Sequence, residues 1–271
     1  MTGAVVASIV RVASHGAVLA ALVAFGGRRW PLAPDAGEGA AIDDADPPSA
    51  DGDEEEVASG LEDDGVPMSV ADGGLRVRAH GGCPSSMVRV EDSCIDRYEA
   101  PNVRGAEPLV MQSANDAVAW CASRHKRLCT EDEWIRACEG ADHRSYPYGR
   151  VHVDGRCNDD KPWREVHEAT LAKWPSAEAR EHARELYQAT PSGRDRKCSS
   201  EAGVHDLTGN VEEWVVRTRE HANPWPYLLA GCYWSGCYGG SKPTCHSTND
   251  AHGPDFRFYE TGFRCCRDAN R

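Results

Sequence analysis

The sequence predicts an α+β domain built largely from loops and stapled by disulfides. Three observations predict it. All 12 cysteines lie between Cys83 and Cys266, an even number confined to one segment, which reads as a disulfide framework. Two short helices carry their own start signals. Beyond Cys198, glycine, asparagine, proline and aromatic residues are dense and regular periodicity vanishes, as in a loop-built region. The 271 residues divide into 1–30, 31–80 and 81–271, with a helical insertion at 163–190 in the last.

Residues 16–27 (GAVLAALVAFGG) form an apolar run of signal-peptide core length, with Arg11 ahead of it. Extended back to Ala4 the run is long enough to span a bilayer, but Arg11 and His15 interrupt it and Arg28 and Arg29 follow it. Residues 1–30 therefore read as an export signal or an N-terminal membrane anchor, with both left open. Either one predicts an exported protein, periplasmic, at the cell surface or secreted, where disulfides persist. Residues 31–80 read as an acidic disordered linker, too poor in apolar side chains to bury a core. The first 79 residues hold 14 of the 43 acidic side chains and 5 of the 30 basic ones, so most of the net charge of −13 belongs to this tail. The remainder is nearly balanced and lacks the basic face that nucleic-acid binding requires, so nucleic acid is excluded as a partner.

Within 81–271, Met87-Val-Arg-Val90 alternates and reads as one strand of a hairpin, flanked by Cys83 and Cys94. A helix is predicted over about 114–124 with Ser113 as N-cap. A second is marked by the capping box Thr130 and Glu133 ahead of Trp134-Ile-Arg-Ala-Cys138, with Gly140 as its stop. Residues 163–188 look strongly helical, divided by Pro175. Trp120, Trp134 and Trp214 are candidate core residues, since a domain with few long helices needs large apolar faces.

Six separated stretches carry a resemblance. They are Cys94-Ile-Asp-Arg-Tyr-Glu99, Asp116-Ala-Val-Ala-Trp-Cys121, the run Arg127 to Trp134 followed by Ala137-Cys-Glu-Gly140, Tyr146-Pro-Tyr-Gly149, the run Gly203 to Trp214, and Gly262-Phe-Arg-Cys265. In this order over residues 83–266 they resemble the formylglycine-generating enzyme, or sulfatase-modifying factor, family, whose domain is a variant of the C-type-lectin-like fold. The resemblance implies bridges Cys121 to Cys265 and Cys138 to Cys245. For the other eight cysteines, proximity suggests Cys83 with Cys94, Cys157 with Cys198, Cys232 with Cys237, and Cys129 with Cys266. The resemblance also implies structural calcium, held by the side chains of Asp206 and Glu213 and the carbonyls of Gly209 and Val211, a set of oxygens that suits this ion. A second calcium site is implied at Asn158 and the Asp159 carbonyl.

The family's chemistry uses two thiols five positions apart that bind copper(I), a soft ion suited to sulfur. Here the corresponding turn is Gly231-Cys-Tyr-Trp234, and Gly236 and Ser241 stand at the expected thiol positions. The expectation is therefore a domain without oxidase activity that binds a protein or small-molecule ligand on its loop-rich face. The alternative is a divergent oxidoreductase using Cys237 with Cys245 and copper. A sugar-binding module is a third reading, carried by fold alone. His205, His246 and His252, with Asp250 or Asp255, are a candidate metal cluster, against the commoner role of loop histidines as structural hydrogen-bonding groups.

Overall fold

The computed structural model describes residues 82–269; the expectations for residues 1–30 and 31–80 lie outside the described residues. Among the described residues no helix is long and apolar enough to cross a membrane. Strand β1 (Met87–Val90) turns back on β2 (Ser93–Asp96) as the expected hairpin, with Met87 opposite Asp96. Helix α1 (Ala114–Ala122) starts at Ser113, whose hydroxyl accepts from the Asp116 amide while Asp116 reaches back to the Ser113 N–H. The helix ends two residues earlier than expected, with Ser123 as its C-cap. After β3 (Arg127–Leu128), helix α2 (Glu131–Glu139) is closed by the Thr130–Glu133 box and stops at Gly140, whose φ of 64° suits a residue without Cβ.

The 163–190 stretch is less helical than its composition suggests. Only α3 (Glu168–Leu171) and α4 (Ala177–Leu186) form, separated by Pro175, which has no N–H to continue a helix. Ser176 restarts the chain by capping the Ala179 amide. Ahead of α3 the chain is anchored by tertiary bonds, Lys161 N–H to the Trp234 carbonyl (2.7 Å) and His167 N–H to His182 Nε2 (2.9 Å).

The region after Cys198 is not built from loops alone. It contributes β4 (Glu212–Val216), β5 (Tyr227–Ala230), β6 (Thr248–Asn249), β7 (Thr261–Phe263) and β8 (Cys265–Asp268). These strands are two to five residues long, and β4 and β7 are buried on both faces, so no apolar–polar alternation marks them. They complete two four-stranded sheets, ordered β1-β2-β8-β3 and β6-β5-β4-β7, and β7 runs parallel to β4. Trp134 and Trp214 are fully buried in the two main apolar clusters, whereas Trp120 is only partly buried, stacked edge-on to Phe263 with Arg124 over its face.

Six bridges join Cys83 to Cys94, Cys121 to Cys265, Cys129 to Cys266, Cys138 to Cys245, Cys157 to Cys198, and Cys232 to Cys237. Three of them close separations of 107, 137 and 144 residues, fastening α1 and the residue after β3 to β8 and α2 to the loop between β5 and β6.

Candidate functional site

Strand β4 begins with two glutamates, and because successive side chains of a strand point to opposite faces they enter two different environments. Glu213 meets Arg264, which is wholly buried between β7 and β8 and donates from Nε and Nη2 to the two carboxylate oxygens, each at 2.6 Å. Trp134 Nε1 adds a third donor at 2.9 Å, and Arg264 also reaches the His205 carbonyl. Around this pair stand Glu99 and Asp206. Glu99 accepts from Ser192 Oγ (2.6 Å) and Asn210 Nδ2 (2.7 Å); burial raises its pKa to about 7 against the opposing pull of Arg264. Asp206 accepts from the Gly193 N–H at 2.7 Å and is also raised, by burial and then by the charge of Glu99.

The implied calcium residues therefore divide. The positive charge beside Asp206 and Glu213 is the Arg264 guanidinium, and a cation there would compete with it, so these two carboxylates do not fit an ion in this arrangement. Asn158 does fit. Its Nδ2 donates to the Gln188 carbonyl (3.1 Å) and Asn210 Oδ1 (3.0 Å), which fixes the amide and leaves Oδ1 buried without a partner. Asp159 Oδ1 is orphaned in the same way, while its Oδ2 meets His152. Gly209 lies against them: at φ 79°, a Cβ there would come 2.4 Å from the Asn158 carbonyl oxygen. The Asn158 carbonyl itself is taken by the Asn210 N–H, and Val211 lies buried ahead of β4.

Glu212 faces a cleft of about 1190 Å3. One wall is the turn after β5, with the bridged Cys232 and Cys237, Tyr238 and Ser241. Trp174 and residues of the segment from Asn249 to Phe258 also line it. Cys237 is bridged to Cys232 and Cys245 to Cys138, so in this structure neither sulfur of the alternative pair Cys237 and Cys245 is a thiol and the two belong to different bridges. Gly236 and Ser241 stand close together at this turn, the Cys237 N–H donating to the Ser241 carbonyl at 3.2 Å.

Burial pushes the Glu212 carboxyl up to about 8, with the Asn249 side chain as its hydrogen-bond partner. Glu260, immediately before β7, is also raised, by burial and then by the charge of Glu212; Tyr238 donates to its Oε1, and Oε2 has no partner. Tyr233, Trp234 and Tyr259 pack behind the turn with ring centroids 5.7–6.0 Å apart.

The histidine set does not assemble. His205 stacks on Tyr98 (5.2 Å) beside the Arg264 network, His246 pairs with Glu139, and His252 stacks on Phe256 at 3.6 Å. Among the described residues no group of three or more His, Cys, Asp or Glu side chains could hold a metal. Sequence reasoning missed Glu212, Asn249 and Glu260. A signal existed: a Glu-Glu pair opening an otherwise apolar strand forces one carboxylate to each side.

Residues 53–269 match the Sulfatase-modifying factor enzyme 1-like domain family. The inactive C-alpha-formylglycine-generating enzyme 2 of Bos taurus is 32% identical over 167 residues, 60% of this chain and 51% of that protein. The formylglycine-generating enzyme of Mus musculus is 28% identical over 186 residues, 61% of this chain and 45% of that protein. The chain thus spans about half the length of the curated relatives it matches. Among solved structures, the crystal structure of CarF superposes with a TM-score of 0.45 at 16% identity, covering 67% of this chain and 92% of that one.

Proposed function

The chain belongs to the sulfatase-modifying factor family, with its formylglycine-generating-enzyme-like α+β domain, and we propose that it is an exported, non-oxidising member that binds a small ligand in the cleft beside Glu212. The observation that carries the first half is the state of the cysteines. All 12 are bridged, so the pair in this turn that has the five-residue spacing, Cys232 and Cys237, offers no thiol, and Gly236 and Ser241 stand at the positions the resemblance assigns to the two thiols. Copper(I) binding requires soft sulfur ligands, which glycine and serine do not supply. The inactive relative is consistent with this reading. Six disulfides favour an oxidising, extracytoplasmic compartment.

The cleft supports the second half. It is concave, mixes aromatic and polar lining, and contains a carboxyl with a strongly displaced pKa, the combination expected of a ligand site. The test is a fragment screen by ligand-observed NMR on the full chain and on Ala251→Trp, which places an indole at the exposed lining of the cleft. Fragments should bind the wild type and lose contact in the variant. A screen whose hits bind both proteins equally would contradict the cleft as the site.

A structural calcium ion is a separate reading, supported by the orphaned Asn158 Oδ1 and Asp159 Oδ1. These oxygens, with carbonyls of the adjoining loop, would hold the ion and tie the 157–161 segment to the turn at Gly209.

A further inference from the structure

The cleft's lining specifies a ligand class. Its carboxylates are Glu168, Glu212, Asp250 and Asp255, set against Arg257, whose guanidinium already lies 3.1 Å from Asp116, and against two imidazoles, His246 beside Glu139 and His252 stacked on Phe256. Trp174, which has the Arg180 guanidinium over one face at 5.3 Å, lines the same space with Tyr238, Phe256 and Phe258. Glu212 is 3% exposed and receives only the Asn249 amide. Behind it, Glu260 is 1% exposed, and its Oε2 has lost water without gaining a donor. A donor or a positive charge is what this end of the cleft lacks.

We propose that the cleft binds a small organic cation, its alkylammonium head against Glu212 and its apolar body along Trp174, Phe256 and Phe258. The assignment rests on the ligand-cleft reading above and adds the ligand's chemistry. Aromatic faces attract a cation through the negative charge of their π-surfaces, and the attraction grows where water is excluded. An anion would meet four carboxylates. A neutral apolar ligand would leave the Glu212 carboxyl and Glu260 Oε2 as poorly served as before. A bare metal ion is far smaller than the volume, and among the described residues no group of three or more His, Cys, Asp or Glu side chains could hold one.

The head recognises the ionised form of Glu212. The titratable and polar groups facing that carboxyl are Glu260, Tyr233, Tyr259 and the Asn249 amide, and none of them is cationic.

The test is titration calorimetry on the full chain with choline and with 3,3-dimethylbutan-1-ol, its uncharged isostere. Choline is expected to bind at least about tenfold more tightly than the alcohol. Glu212→Gln should remove most of that preference. Trp174→Ala, at a part-exposed position, should weaken choline binding as well. Equal binding of the two probes would overturn the cation assignment while leaving the ligand cleft standing. Binding of neither probe would also overturn it, and the fragment screen would then decide the cleft separately.

Discussion

Glu212 and Glu213 are neighbours on one strand, equally buried, and they stand in opposite conditions. Glu213 has both oxygens filled by a guanidinium and a third bond from an indole; Glu212 has one amide and an open cleft. A buried charge with complete partners holds the fold, and a buried carboxyl left short of partners marks a place where something else can bind. The Arg264 network and the cleft thus meet opposite faces of one strand.

The largest expected effect breaks the structural side. Arg264→Met removes the cation that faces Glu213, Glu99 and Asp206, and breaking such a pair leaves uncompensated buried charge. The loss should be about 3–5 kcal/mol, read from the urea midpoint. A change comparable with that of an exposed arginine variant would show that the network is not what holds the two sheets together.

The bridges sharpen the same contrast. Replacing Cys138 and Cys245 together by serine opens a separation of 107 residues and should lower stability by about 4–5 kcal/mol in the chain-entropy account. The same double replacement at Cys232 and Cys237 opens a separation of only 5 residues and should lose about 2 kcal/mol. Equal losses in thermal unfolding would show that the cleft turn carries more of the fold than its position suggests.

Titration separates the two glutamates directly. With its folded pKa raised to about 8 from an ordinary 4.5, Glu212 binds a proton more tightly in the folded state than in the unfolded one. Its contribution is fully present below about pH 4.5 and is lost as the pH rises through 8, so the urea midpoint should fall across that window. Glu99, displaced to about 7, adds to the fall. Glu212→Gln should flatten the upper part of this dependence. An unchanged slope in the variant would mean that Glu212 titrates normally in the fold.

The smallest effect concerns the ion. Calcium chelation should lower the melting temperature by a few degrees, since a ligand bound only to the folded state stabilises it by mass action. Asn158→Ala should abolish that response. Persistence of the response in the variant would move the ion away from Asn158.

The legibility of the chain follows the same divide. The domain family was legible because its signals are local and ordered: the N-cap at Ser113, the capping box at Thr130 and Glu133, the hairpin at Cys94, and the Gly203–Trp214 block. The short strands after Cys198 were hidden because burial on both faces removes the alternation that betrays a strand. The calcium residues were read as one set, whereas the fold turns Asp206 and Glu213 toward Arg264, whose position 51 residues beyond Glu213 no local pattern connects to them. The cleft was invisible for a related reason, since Trp174, Glu212, Tyr238 and Phe256 come from four separated segments.

The central claim is that this family member does not oxidise a substrate cysteine. The direct measurement is to incubate the purified protein, supplied with copper(I), with a peptide bearing Cys-x-Pro-x-Arg and to follow the cysteine by mass spectrometry. The bridged Cys232 and Cys237, together with Gly236 and Ser241 at the turn, predict a peptide recovered unchanged. Aldehyde formation that disappears in Cys237→Ser would contradict the account and return the chain to the enzymes.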